Sequence, residues 1–378
     1  MKVIMVRSNP INPDVRIEKE AETLASTGYN VTLLGWKRFG IAPKTEIRSN
    51  YLINRLNLKA PSGEKVIFYL PLWWIYELFW LLNSDWDIVH AADFDTYVPA
   101  LIAARIKRKQ IVYDIYDFYA DQVVLPALIR ELVTKVDIFL MQFADAIIIV
   151  DQSRLRQIRR NNENEVKIIN NTPKDNCFLF SKNKNNEKTD NSSFKIFFAG
   201  VLTFDRDFKT IIQAAKEIGG IEVIVAGFGN FEDQLSKMSS HESCFKYLGT
   251  ISHNEVIKRT IDADLLFALY NPAVPNNRYA SPNKLFESMM CGKPILVSDG
   301  TSMAEIVRME NCGIVVPYGD LQAIKKAILS LQNNHGLAIC LGKNGRKAYE
   351  TKYNWRIMES RLIDLYKNLS IKRKSRIN

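Results

Sequence analysis

Apolar positions along the chain follow two alternating rhythms. Short runs rich in β-branched residues are separated by longer stretches in which apolar side chains recur every third or fourth residue. That alternation predicts parallel α/β layers. In the first half the predicted strands are Val3–Val6, Val31–Trp36, Ile88–Ala91, Ile111–Tyr116, Ala146–Val150 and Val166–Ile169. In the second half they are Lys195–Ala199, Glu222–Ala226, Phe245–Leu248, Leu265–Leu269, Pro294–Ser298 and Ile314–Val316. Between the two sets, Ser181–Ser193 contains no apolar residue, so it cannot be buried and reads as a linker or a mobile loop. The expectation is two Rossmann-like, doubly wound parallel-sheet domains facing across a cleft, with ligands at the carboxyl ends of the strands. The predicted division is 1–175, a linker or loop 176–193, 194–345, a helical segment 346–370 and a basic tail 371–378.

One stretch breaks the rhythm. Val66–Leu82 is apolar on every face except at Glu77 and carries Pro71. It is barely long enough to span a bilayer, and a central carboxylate opposes that. A buried core helix, an interfacial helix and the wall of a groove for a lipid-linked substrate stay open. Its Trp and Tyr residues suit a headgroup layer.

Composition narrows the classes. The 378 residues are 47% hydrophobic and 24% charged, which excludes wholesale disorder. The five cysteines are scattered without a C-x-x-C, so neither a disulfide framework nor a zinc site is expected, and a reducing compartment is. The opening apolar run ends at Arg7, too soon for a signal peptide, so a cytoplasmic chain is expected. The net charge of +10 first suggests nucleic acid. Its distribution argues otherwise: residues 346–378 hold ten Lys/Arg and three Asp/Glu, so the rest is nearly neutral. No aromatic-interleaved basic stretch or finger spacing marks a nucleic-acid surface. The basic end is either a solvated tail or a peripheral membrane contact.

Three segments carry candidate chemistry. In Ser281–Gly292, Ser281 suits a helix N-cap, Pro282 the first helical position and Gly292 the position past the end. Lys284 in the first turn is disfavoured by the helix dipole unless an anion sits at that N-terminus. Asn283 and Glu287 share its side of the helix, and a Lys284–Glu287 surface pair is the plain alternative. In Phe197–Lys209 a strand runs into Gly200, which permits close backbone approach, and Arg206 precedes a helix start near Asp207. The third, Ala226–Asn230, contains G-x-G without the third glycine of a dinucleotide fingerprint, and no Walker A sequence is present.

Taken in order, these motifs resemble a family 4 (group 1) glycosyltransferase of the GT-B fold. In the first half the resemblance rests on Asn12–Ala25, Gly28–Thr32, Val89–Asp93, Val112–Asp117 and Ala144–Val150. In the second it rests on Phe198–Gly200, Ala226–Gly229, Ala263–Phe267, Ser281–Gly292 and Tyr353–Trp355. It implies an acceptor-side first domain, a nucleotide-sugar donor domain second, and a C-terminal segment returning to the first. It also implies a retaining transfer of a sugar from a nucleotide diphosphate sugar to a hydroxyl acceptor, with a lipid-linked acceptor expected in cell-surface glycan or glycoprotein assembly. By the same resemblance Glu287 binds the donor ribose. Arg206, Asn283 and Lys284 hold the pyrophosphate, Gly200 gives close approach, and Leu248–Thr250 meets the base. Asp14, Arg16, His90, Tyr279 and Ser281 are candidate substrate contacts, and Asp117 the candidate catalytic carboxylate. No cofactor and no obligatory metal is expected, because placed cations can hold the leaving diphosphate. The chain departs from the family pattern at Tyr279, where a second Glu is usual, at Val201, where a basic residue is common, and at Tyr116, where many relatives carry His. A GT-B sugar-nucleotide epimerase and a non-catalytic GT-B scaffold at the membrane are the rivals.

Overall fold

In the computed structural model, residues 1–61, 63–122, 126–158, 165–177 and 193–377 are described. Contacts divide them into two compact units: Met1–Asn170 with Met358–Asn378, and Asn171–Ile357.

The first unit is built on β1 (Lys2–Arg7), β2 (Asn30–Trp36), β3 (Thr45–Arg48), β4 (Tyr51–Leu56), β5 (Ile88–Ala92), β6 (Gln110–Ile115), β7 (Ala146–Ile149) and β8 (Glu165–Ile168). Their order in the sheet is β3-β4-β2-β1-β5-β6-β7-β8. All neighbours are parallel except β3 and β4, which pair antiparallel at one edge. That edge pair was not among the predicted strands. β3 is exposed or half-exposed along its length, so it lacks the apolar run that marks a central strand.

The second unit contains β9 (Phe194–Val201), β10 (Ile221–Phe228), β11 (Phe245–Tyr247), β12 (Leu265–Ala268), β13 (Ile295–Ser298) and β14 (Gly313–Val316). They form one parallel sheet in the order β11-β10-β9-β12-β13-β14. Its core is an aromatic cluster in which Phe198 packs against both Phe208 and Phe267 at centroid distances of 5.0 and 5.1 Å.

The predicted boundaries shift. Residues 171–175 belong to the second unit, because Tyr349 donates to the Pro173 carbonyl and Arg346 pairs with Asp175. Arg346 also donates to the Met290 carbonyl, so the return to the first unit begins at Met358 rather than at residue 346. From there the helix Trp355–Ile377 buries Leu362, Leu365 and Leu369. It also supplies the Leu369 carbonyl to Gln110 at 3.0 Å. Of the expected linker 176–193, residues 178–192 lie outside the described residues, as does the end of the basic tail at 378.

The stretch Val66–Leu82 becomes a 3-10 turn, Gly63–Tyr69, and the helix Leu70–Asn83. The span Lys65–Asn83 is long and apolar enough to cross a membrane. Its inner face nevertheless packs on the unit: Trp73, Glu77 and Leu81 are buried, and Trp73 stacks on Trp36 at 5.5 Å. Burial holds the Glu77 carboxyl well above the usual carboxylate range, which disfavours its charged form there.

Candidate functional site

The second unit gathers the predicted donor residues around one cavity. Gly200, Arg206, Gly227, Phe228, Thr250, His253, Tyr270, Asn283, Lys284 and Glu287 line a space of about 400 Å³ at the carboxyl edge of β9, β10 and β12. This is where an open parallel sheet binds ligands, since helix N-termini and loop amides converge there.

The helix Asn283–Met290 forms one wall. Its N-cap is Pro282 in an extended conformation, one residue later than Ser281, and no side chain caps it. Ser281 therefore does not serve as the cap, and its hydroxyl oxygen is buried without a hydrogen-bond partner among the described residues. Proline fixes φ near the value needed to enter a helix but has no side-chain acceptor, so the first helical amides stay available to a ligand. Gly292 follows the helix with φ of +63°, as expected for the residue past a helix end.

Lys284 is buried and donates to the Tyr270 hydroxyl at 2.8 Å rather than to Glu287. Its ammonium also lies 4.1 Å from the centre of the Phe198 ring. Among the described residues this ammonium forms no salt bridge, and a buried ammonium left so is costly in a folded chain, so this position suits an anionic ligand. Gly200 makes room for it: with φ of +151°, a β-carbon there would stand 3.0 Å from the Lys284 Nζ. A β-carbon on Gly227 would collide with the Gly200 carbonyl, which keeps the ends of β9 and β10 close.

Arg206 forms the opposite cation. Its guanidinium lies 3.6 Å from the Tyr270 ring centre and bonds Asp205 and the Asn277 amide oxygen at 2.9 and 2.6 Å. The Arg206 Nε and the Asn283 Oδ1 have no hydrogen-bond partner among the described residues. Glu287 is buried one turn deeper, 4.0 Å from the His253 imidazole. Tyr270 and His253 were not singled out from the sequence. Tyr270 lies just beyond β12, so its position at a strand end was the available signal.

Tyr279 and Ser281 do not line the cavity. Tyr279 caps the short helix Pro275–Arg278, where the chain turns before reaching the wall of the site.

In the first unit the candidates separate. His90, a candidate substrate contact, lies in the middle of β5 and is fully buried. Its Nδ1 meets the Tyr366 hydroxyl at 2.8 Å and its Nε2 lies 3.3 Å from Asp114. Arg16 belongs to the helix Val15–Ser26, is buried, and bonds Asp114 and the Ile169 carbonyl. Burial opposes ionisation of Asp114, yet Arg16 and His90 hold it below the usual carboxylate range, while burial beside it pushes Glu20 up. These groups form a closed internal network. The three potential ligands Glu20, His90 and Asp114 cluster within 4.8 Å, but Arg16 already supplies the positive charge there.

Asp14 caps the helix Val15–Ser26 and accepts from Asn9 at 2.8 Å and from Arg7 at 3.1 Å. Asp117 sits half-exposed just past β6, held by Arg154 at 2.6 Å. Beside it lie two carboxylates the sequence did not flag. Asp93 has φ of +66° at the end of β5, accepts the Tyr116 amide at 2.9 Å and pairs with Arg7. Burial, reinforced by Asp93, pushes the Asp95 carboxyl up to about 6, and its Oδ1 has no hydrogen-bond partner among the described residues.

Comparison with known proteins follows the same division. Residues 180–348 match the family described as "Glycosyl transferases group 1". The chain is 28% identical to the "Capsular polysaccharide biosynthesis glycosyltransferase CapM" of Staphylococcus aureus over 195 residues, 50% of this chain and 50% of that protein. The chain spans about half the length of the curated relatives it matches. Across 98% of its length it shares the fold of a sucrose-phosphate synthase from Thermosynechococcus elongatus, covering 100% of that chain at 16% identity with a TM-score of 0.80. It shares the fold of Anabaena HepE, solved in complex with UDP-glucose, over 97% of this chain and 100% of that one, at 14% identity and a TM-score of 0.71. The family match thus spans residues 180–348, the stretch that holds the cavity, and the two-sheet architecture is the GT-B fold of these solved structures.

Proposed function

We propose that this chain transfers a sugar from a nucleotide diphosphate sugar to a hydroxyl acceptor, with retention at the anomeric carbon, in the assembly of a polysaccharide or glycolipid. The observation that carries the reading is the buried Lys284 ammonium at an uncapped helix N-terminus, with Arg206 and Glu287 lining the same cavity. As the bond from the anomeric carbon to the diphosphate breaks, negative charge collects on the leaving oxygen. Lys284, Arg206 and the first amides of Asn283–Met290 are pre-placed to stabilise it without an obligatory metal. The acceptor oxygen forms the new bond to that carbon, and its proton passes to the departing diphosphate or to a carboxylate. Asp117 is the proposed carboxylate, at the carboxyl edge of the first sheet beside Asp93 and Asp95. Glu287 accepts the ribose hydroxyls. The family resemblance supports retention, and the UDP-glucose held by HepE supports a nucleotide-sugar donor.

The named role of CapM in capsular polysaccharide biosynthesis supports a glycan product. The exposed apolar helix Leu70–Asn83 and the basic segment 371–378 support a lipid-linked acceptor and peripheral contact with the inner face of the cell membrane. Thermal shifts with UDP-, GDP- and ADP-sugars test the donor half, because a ligand that binds the folded state raises its melting temperature. A stabilising nucleotide sugar whose diphosphate is released on adding acceptor supports transfer. No shift with any of them overturns the reading.

A further inference from the structure

The first unit holds a second cavity, of about 630 Å³, that the donor chemistry does not use. Lys37, Arg38, Phe39, Asn57, Lys59 and Tyr69 contribute to its lining, beyond the carboxyl ends of β2 and β4. Three cations meet there, and among the described residues none of them forms a salt bridge, although the Asp95 carboxylate acts on Arg38 through its charge. Arg38 is half-buried against the Trp36 and Phe39 rings, 5.4 and 5.9 Å from their centres, and its Nε has no hydrogen-bond partner among the described residues. A planar guanidinium presented this way, flanked by two ammonium groups, matches a phosphate.

What lies beside the cavity narrows the phosphate to one attached to a lipid. Tyr69 lines it and leads directly into Leu70–Asn83. Phe68, Leu72, Ile75 and Phe79 recur at helical spacing and stay exposed, Phe68 at 79% and Phe79 at 67%. The neighbouring helix Phe94–Lys107 packs against this one and exposes Ile102 and Ile106. Tyr97 on that helix donates to Leu140 of Ala127–Met141, whose Leu128, Leu132 and Phe139 are exposed in turn. Soluble surfaces seldom leave so many large apolar side chains on adjoining helices, whereas an interface with hydrocarbon accounts for them.

We propose that this cavity binds the phosphate or diphosphate of a membrane lipid, with its hydrocarbon lying along the Phe68, Leu72, Ile75 and Phe79 stripe. The proposal rests on the transferase reading and names the acceptor's anchor. The cations would fix the head of the carrier at the carboxyl edge of the sheet while the apolar helices stay in the bilayer surface.

The test uses the full chain and phosphatidylcholine vesicles carrying a small fraction of either a polyprenyl phosphate or phosphatidylglycerol at matched surface charge. Binding is expected to be tightest to the polyprenyl phosphate vesicles. The double variant Lys37→Ala/Lys59→Ala is expected to lose roughly tenfold of that affinity. Ile75→Ser/Phe79→Ser is expected to weaken binding to every vesicle. Equal binding to the two anionic vesicles, or an unaffected lysine variant, overturns the site. A melting-temperature rise with inorganic phosphate alone, matched by no preference for the lipid phosphate, overturns the lipid assignment. Nucleotide-sugar thermal shifts on the same preparations report on the second unit separately. Loss of vesicle preference with donor binding intact therefore rejects this site and leaves the transferase reading standing.

Discussion

The Nζ of Lys284 lies 3.0 Å from where a β-carbon on Gly200 would be, so an L side chain at 200 and the ammonium compete for one place. Gly200→Ala is expected to weaken nucleoside diphosphate binding, both by displacing Lys284 and by straining a backbone at φ of +151°. Lys284→Ala removes a charged hydrogen-bond donor worth about 1.5–3 kcal/mol, a loss of roughly ten- to a hundredfold in affinity. Calorimetry with free nucleoside diphosphates measures both, and an unchanged Kd for Lys284→Ala rejects the pyrophosphate role.

Tyr270 supports both cations, through its hydroxyl to Lys284 and its ring beneath Arg206. Tyr270→Phe keeps the ring and removes one hydrogen bond, so a loss of about 0.5–1.5 kcal/mol is expected, while Tyr270→Ala should cost more by releasing Arg206 as well. Equal affinities for the two variants would show that the ring contributes nothing.

Glu287 should discriminate the sugar of the nucleotide. Glu287→Gln is expected to narrow the preference for a ribonucleoside over the matching 2′-deoxyribonucleoside diphosphate, because the charged acceptor is lost. A preference identical to that of the unaltered chain would remove Glu287 from the ribose.

Asp117→Asn is expected to lower kcat by about a hundredfold or more with the donor Kd unchanged, as removal of a proton acceptor does. Single-turnover rates measure it. Activity close to that of the unaltered chain would assign the proton to the leaving diphosphate alone.

Burial pushes the Asp137 carboxyl up to about 8, against the hydrogen bond it accepts from Tyr113 at 3.0 Å. In an unfolded chain the group titrates near ~3.9. Below that pH both states are protonated and the shift has no effect. As pH rises from about 4 to about 8 the unfolded state ionises first, so stability falls by on the order of a few kcal/mol and levels off above that range. Asp137→Asn is expected to flatten this slope, as read from urea midpoints across the range. A slope retained in the variant would place the titration elsewhere.

The sequence exposed the second unit far better than the first. Gly200, Arg206, Asn283, Lys284 and Glu287 announce themselves because strand ends, a glycine and a proline-led helix punctuate the chain where the ligand would sit. Central parallel strands are equally plain, being buried on both faces. The β3–β4 edge is not, since edge strands carry mixed polarity. His90 and Arg16 are harder to read for a physical reason: buried groups that pair with one another look, residue by residue, like groups placed to meet a substrate. Only their partners Asp114, Glu20 and Tyr366, distant along the chain, tell them apart. Asp95 owes its character to burial and to its neighbours and leaves no trace in local pattern, whereas Tyr270 is marked only by its place just past β12.

The return of Met358–Ser370 to the first unit sets an order on synthesis. Asn171–Ile357 holds its whole sheet in one continuous stretch and can close as soon as that stretch leaves the ribosome. The first unit cannot. Until residues 358–370 emerge, Gln110 lacks the Leu369 carbonyl and His90 lacks the Tyr366 hydroxyl, and the apolar seat of Leu362 and Leu365 stays open. The half of the protein made first is therefore finished last.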